Sequence, residues 1–140
     1  MFLNILVGVD GSESSDRAVE HAVGLAHAMN SKMTFIAVAP PLSAYVTLAG
    51  VNNETMLDEL DRWAAEKLAE ASATVPDDVI AHTVQRRGHA GPEIIKELEH
   101  GNHDLVVLGS RGRGRAQEGL LGSVNAYVHF HSRVPLLSVP

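Results

Sequence analysis

The sequence predicts an α/β domain built on a single open parallel sheet, and two observations carry that prediction. Short apolar runs alternate along the chain with longer segments whose apolar residues recur at helical spacing. A late apolar run then leads straight into a glycine loop and another helical segment, LVVLGSRGRGRAQEGLLGSVN over Leu105–Asn125. The resulting order, β-α-β-α-β-α-β-α-β, needs crossover connections, and these put helices on both faces of a parallel sheet.

The elements follow in order. Phe2–Val9 is apolar and rich in branched residues, so it reads as a buried strand ending in the turn Asp10-Gly11-Ser12. Ser12 suits an N-cap. Ala18, Ala22, Leu25, Ala26 and Met29 form one stripe on the helix that follows, and Asn30 suits its C-terminal cap. Met33–Ala39 is a second buried strand, ended by Pro40-Pro41. Leu42–Asn53 has no clean period but carries Tyr45, Val46, Leu48 and Val51. Such a segment needs cover: a ligand, a partner, or its own domain.

A second helix spans Glu54–Thr74, with Leu57, Leu60, Ala64, Leu68 and Ala71 on one face and Trp63 beside them. Val79–Gln85 alternates and fits a strand near a sheet edge. Gly91-Pro92-Glu93 opens a third helix carrying Ile94, Ile95 and Leu98, which Gly101 ends. Asp104–Leu108 is the strand before the glycine loop. A helix from Gly122 to His131 carries Val124, Tyr127 and Val128, and Val134–Val139 is the last strand.

At 140 residues the chain forms one domain, spanning 1–140, with room for a real core. No run is long enough for a membrane helix, and MFLNILVGVD lacks a basic leader, so a cytoplasmic protein without a membrane contact is expected. The absence of cysteine agrees with that compartment. A net charge of −6 argues against a nucleic-acid coat.

The chemistry concentrates in the glycine loop. Gly109, Gly112, Gly122 and Ser123 read G-x2-G-x9-G-S between a strand and a helix. The first amides of a helix have no internal partner and sit at its positive end, and glycines let backbone approach an anion closely. Arg111 lies between two of these glycines and is the arginine favoured for phosphate; Arg113 and Arg115 read as solvated. The pattern is not a Walker A loop, which needs a lysine after its last glycine, nor a Rossmann fingerprint. The eight histidines show no HExxH spacing and read as surface or packing residues. Ser12, Ser14 and Ser15 lack a nucleophile elbow.

Three stretches, ILVGVDGSESSDRAVEHA, DLVVLGSRGRG and GLLGSVNAYVHFHSRVPLLSVP, resemble the universal stress protein family over essentially the whole chain. The glycine spacing is similar to the ATP-binding signature of that family. The resemblance implies a five-stranded parallel sheet in the order 3-2-1-4-5, a Rossmann-like adenine-nucleotide fold, and a homodimer joined through the last strand, 134–139. It implies that ATP, ADP or AMP binds, with Asp10 near the ribose and phosphates, the backbone of Val38 facing adenine, and Leu108 lining the base pocket. Gly109, Gly112, Gly122 and Ser123 would hold the phosphates, with backbone N–H groups of Val124 and Asn125. It leaves room for Mg2+ or Mn2+ carried on the triphosphate, with no dedicated metal cage. Arg115, Gln117 and Glu118 depart from the more apolar loops of the family. The expected function is a nucleotide-responsive stress or signalling protein without efficient turnover. A slow ATPase and a nucleotide-free dimeric interaction module are the alternatives. No general base or P-loop lysine is evident for phosphoryl transfer.

Overall fold

The computed structural model describes residues 1–42, 53–112 and 122–140. The central strands form where apolar runs can be buried on both faces. Ile5, Leu6 and Val7 of β1 (Asn4–Gly8) and Val106 and Val107 of β4 (Leu105–Gly109) have 0% exposure. Full burial of such a side chain contributes roughly 1.5–3 kcal/mol, so these two strands anchor the core. The others are β2 (Lys32–Ala39), β3 (Ala81–Arg87) and β5 (Leu136–Val139). Their order is β3-β2-β1-β4-β5, with every pair parallel. This is the order that the resemblance implies.

Strand alternation sends successive side chains to opposite faces, so the sheet has two cores. On one face Ile5, Val7, Phe35 and Val107 pack under helices α1 (Glu13–Met29) and α2 (Asn53–Ser72). The contact stripes are Ala18, Ala22 and Ala26 on α1, and Ala64, Leu68 and Ala71 on α2. Trp63 packs against this core while partly buried. On the other face Leu6, Ile36, Val106 and Leu108 meet Ile94 of α3 (Ala90–His100) and Val128 of α4 (Ser123–His131).

Local chemistry fixes the joints. The Ser12 side chain accepts the N–H of Ser15 at 3.2 Å, which caps α1. Asn30 ends α1 in the left-handed region at φ 56°, its N–H bonded to the carbonyl of Ala26. Asp104 accepts the N–H groups of Leu3 (2.8 Å) and Asn4 (3.0 Å), so one carboxylate aligns the entries of β1 and β4.

The observed bounds correct several expected ones. β3 runs from Ala81 to Arg87, not from Val79 to Gln85, because the Val79 N–H closes a turn onto the Pro76 carbonyl. α2 ends at Ser72 because Thr74 and Val75 bond three residues back, which tightens the chain out of the helix. β5 begins at Leu136, since the Val134 N–H is taken by the Ser132 hydroxyl. The sheet-edge reading of β3 holds. Apart from its two ends, the Leu42–Asn53 segment lies outside the described residues, as do Arg113, Arg115, Gln117 and Glu118.

The cap at Asn30 gives a direct test. Asn30→Val forces a β-branched side chain into left-handed backbone and should lower unfolding free energy by about 1–2 kcal/mol. Asn30→Gly should hold or raise it. Urea denaturation distinguishes the two, and equal stability for valine and glycine would contradict this role for the cap.

Candidate functional site

The chain order reverses between β1 and β4, which are neighbours in the sheet but far apart in sequence. Beyond their carboxyl ends the crossovers diverge and leave a cleft, the usual ligand position in such sheets. Gly8, Val9 and Asp10 border it from β1, and Leu108, Gly109, Arg111 and Gly112 from β4. Ile36, Val38 and Ile94 supply apolar wall, and Val124 and Asn125 close it from α4. Ser15 and Ala90 also line it, so the first turns of α1, α3 and α4 all reach one cavity.

Of the residues singled out from sequence, Asp10, Val38, Leu108, Gly109, Arg111, Gly112, Val124 and Asn125 line this cleft. Gly122 and Ser123 do not line it, but they form the cap and first residue of α4 directly behind Val124. The helix's first bond runs from the Ala126 N–H to the Gly122 carbonyl at 3.0 Å. The N–H groups of Ser123, Val124 and Asn125 therefore precede the helical ladder and have no partner within it.

The three glycines differ in what they do. A Cβ on Gly109 would fall on the Ser14 hydroxyl and within 2.8 Å of the Ser14 carbonyl carbon and the Ser15 nitrogen. Gly109 thus lets the end of β4 lie against the first turn of α1. A Cβ on Gly122 would come within 2.8 Å of the Gly112 nitrogen, so this glycine lets the two ends of the loop meet. The Gly122 N–H donates to the Ser110 carbonyl at 2.6 Å across the same junction. At Gly112 a Cβ would meet only Asp10 Oδ2, at 3.7 Å, so space opens there. A side chain at Gly122 would therefore conflict with the loop backbone.

Two side chains hold the loop that sequence reading did not assign. The Ser14 hydroxyl donates to the Arg111 carbonyl at 2.7 Å and accepts the Arg111 N–H at 3.3 Å. Asn125, 2% exposed, donates through Nδ2 to the Gly109 carbonyl (3.0 Å) and to Ser138 Oγ (2.9 Å). Asn125 was expected to act through its backbone; its side chain is a structural tie as well. Both partners lie far away in sequence, so no local pattern could reveal them. Asp10 Oδ1 accepts the Ser12 N–H (2.9 Å) and hydroxyl (2.6 Å), which steadies the β1–α1 turn.

The donor set suits an anionic ligand with a flat apolar portion. Val9, Ile36, Val38, Ile94 and Leu108 give an apolar surface, while Arg111 and the start of α4 offer donors. Among the described residues, no group of three or more histidine, cysteine, aspartate or glutamate side chains could hold a metal ion. Among those residues, too, no helix is long and apolar enough to cross a membrane. Of the histidines, His103 is a packing residue, 8% exposed and bonded to Glu97 at 2.8 Å.

Residues 1–140 match the model of the universal stress protein family. The chain is 30% identical over 155 aligned positions to universal stress protein YxiE of Bacillus subtilis, covering 99% of each chain. Among solved structures, it superposes with TM-score 0.63 and 27% identity on a universal stress protein in complex with cAMP, covering 99% of this chain and 97% of that one. An Arabidopsis thaliana family protein with AMP bound superposes with TM-score 0.59 and 20% identity, covering 98% and 90%.

The contrast between glycines makes a stability prediction. Gly109→Ala should cost about 1–3 kcal/mol, because its methyl group meets helix backbone that cannot move aside. Gly112→Ala should stay within about 0.5 kcal/mol of wild type. Thermal and urea unfolding of both variants measure this. A Gly109→Ala protein as stable as Gly112→Ala would refute the packing role.

Proposed function

The chain belongs to the universal stress protein family, and from that premise we propose that it binds ATP, ADP or AMP in the cleft between β1 and β4, acting as a stress-response or signalling protein. One observation carries the reading. Apolar wall, a glycine-lined opening at Gly112, an arginine and two residues of the first turn of α4, Val124 and Asn125, border a single cavity. The relatives bound to cAMP and AMP support an adenine nucleotide over other anions.

In this reading the base lies against Val38, Ile36, Ile94 and Leu108. The phosphates accept bonds from the amides of Ser123, Val124 and Asn125, from the Ser123 hydroxyl, and from Arg111. Gly109, Gly112 and Gly122 keep that backbone exposed and correctly bent. Asp10 contacts the sugar side of the ligand. A divalent ion, where one takes part, arrives on the phosphates. Two copies of the chain associate through β5. Its Leu137 and Ser138 are exposed, and it lies at the sheet edge with one side of its backbone unpaired. Pro135 and Pro140 limit how far such pairing extends.

Calorimetric titration of nucleotide-stripped protein with ATP, ADP and AMP, with magnesium present, tests the binding. Ser123→Ala removes one donor to a charged acceptor and should weaken affinity by about 1.5–3 kcal/mol, roughly ten- to hundredfold. Gly122→Val should weaken it further, since it displaces the loop at Gly112. Wild type that binds none of the three at millimolar ligand would overturn the assignment. Gly122→Val binding as well as wild type would move the phosphates elsewhere.

The association has its own readout. Sedimentation equilibrium at micromolar protein should give twice the chain mass, and truncation after Arg133 should abolish that species. Monomer alone in the wild type would contradict pairing through β5.

A further inference from the structure

Between α4 and the sheet edge run two hydrogen-bonded lines that packing alone does not require. In the first, the Gly122 N–H donates to the Ser110 carbonyl at 2.6 Å, and the Ser110 N–H donates to the Val139 carbonyl at 2.7 Å. In the second, Asn125 Nδ2 uses one hydrogen on the Gly109 carbonyl and the other on Ser138 Oγ. Both lines start in the first turn of α4 and end on β5. Asn125 is buried, and among the described residues its Oδ1 has no partner. The amide orientation is therefore set by what Nδ2 must reach, since the Gly109 carbonyl can only accept.

The far end of these lines is a short strand at the edge of the sheet. β5 has four residues, pairs on one side only, and exposes Leu137 and Ser138. Elements with few buried contacts open at low free energy. The near end is the turn whose Val124 and Asn125 line the cleft. A ligand that fixes this turn also fixes Gly109, Ser110 and Asn125, and through them the register of Ser138 and Val139.

We propose that occupancy of the cleft and order in the edge strand β5 are coupled, with the Asn125–Ser138 hydrogen bond carrying the larger part. The proposal rests on the nucleotide reading of the cleft. Because linkage is reciprocal, whatever steadies β5, such as pairing with a second copy of the chain, tightens ligand binding by the same factor. Ser138 acts as a positioning residue: it lies outside the cleft, pairs with Leu108 through the strand ladder, and its side chain reaches the cleft through Asn125. The path is contiguous, and the coupling requires that β5 exchange between an ordered and a frayed state.

Amide hydrogen exchange across Leu136–Val139 tests this, with the full chain free and saturated by ATP and magnesium, and binding confirmed by calorimetry on the same samples. Wild type should exchange these amides about fivefold more slowly or better when saturated, the lower end of typical allosteric coupling. Ser138→Ala should fold and bind ATP but lose that slowing. Ser138→Thr, which keeps the hydroxyl, should retain it. Equal slowing in wild type and Ser138→Ala overturns the proposal, as does no slowing in a wild type that binds. Calorimetry showing no nucleotide bound to wild type overturns the cleft assignment first and this coupling with it.

Discussion

The cleft depends on one close approach: the backbone of β4 meets the first turn of α1 with no side chain between them. Gly109 permits it, and the Ser14 hydroxyl secures it by bonding both the N–H and the carbonyl of Arg111. That contact fixes where the chain leaves the sheet. Gly122 then brings the far end of the loop back onto Gly112 and Ser110, so α4 starts beside the exit of β4. These two backbone contacts place Val124 and Asn125, in the first turn of α4, at the wall of the cavity. A side chain at either glycine would act on the site through geometry before it touched any ligand.

Charge sets a second requirement, and distance decides it. The chain carries −6 overall, which would repel a nucleotide approaching from afar. That repulsion is screened beyond about 8–10 Å at physiological ionic strength. Within the cleft the near groups dominate. The first turns of α1, α3 and α4 border it, each carrying roughly half a positive charge at its end, and Arg111 adds a full one. The Asp10 carboxylate is the opposing charge named at the wall. Its Oδ1 is already engaged by the N–H and hydroxyl of Ser12, which spreads its charge into the α1 turn. An acidic protein can therefore keep a local seat for phosphate.

Much of this was legible in the sequence because it is written in local period and spacing. Apolar runs gave four of the strands and alternation gave β3, the alanine stripe gave α1 and its packing face, and Ser12 and Asn30 marked both ends of that helix. Eight of the ten residues assigned to the site line one cleft, since a strand-loop-helix motif keeps its parts adjacent. What was hidden depends on distant partners. Ser14 reads as an ordinary first-turn serine until the loop 97 residues away lies on it. The Asn125 side chain reads as polar filler until β5 brings Ser138 beside it. Spacing shows that a glycine is needed at Gly122, and the folded loop shows that the Gly112 nitrogen and the Arg111 backbone need the space. Strand ends shifted by about two residues where a turn took the N–H that a ladder would have used.

The central claim is that an adenine nucleotide sits between β1 and β4 on the α4 amides. Proton–nitrogen correlation spectra of the stripped protein, titrated with ATP and magnesium, address it most directly. The largest shifts are predicted at the amides of Gly112, Ser123, Val124 and Asn125, with smaller ones at Val38 and Leu108. Shifts centred on another surface, such as the Arg17–Leu25 face of α1, or no shifts at millimolar ATP, would contradict the account.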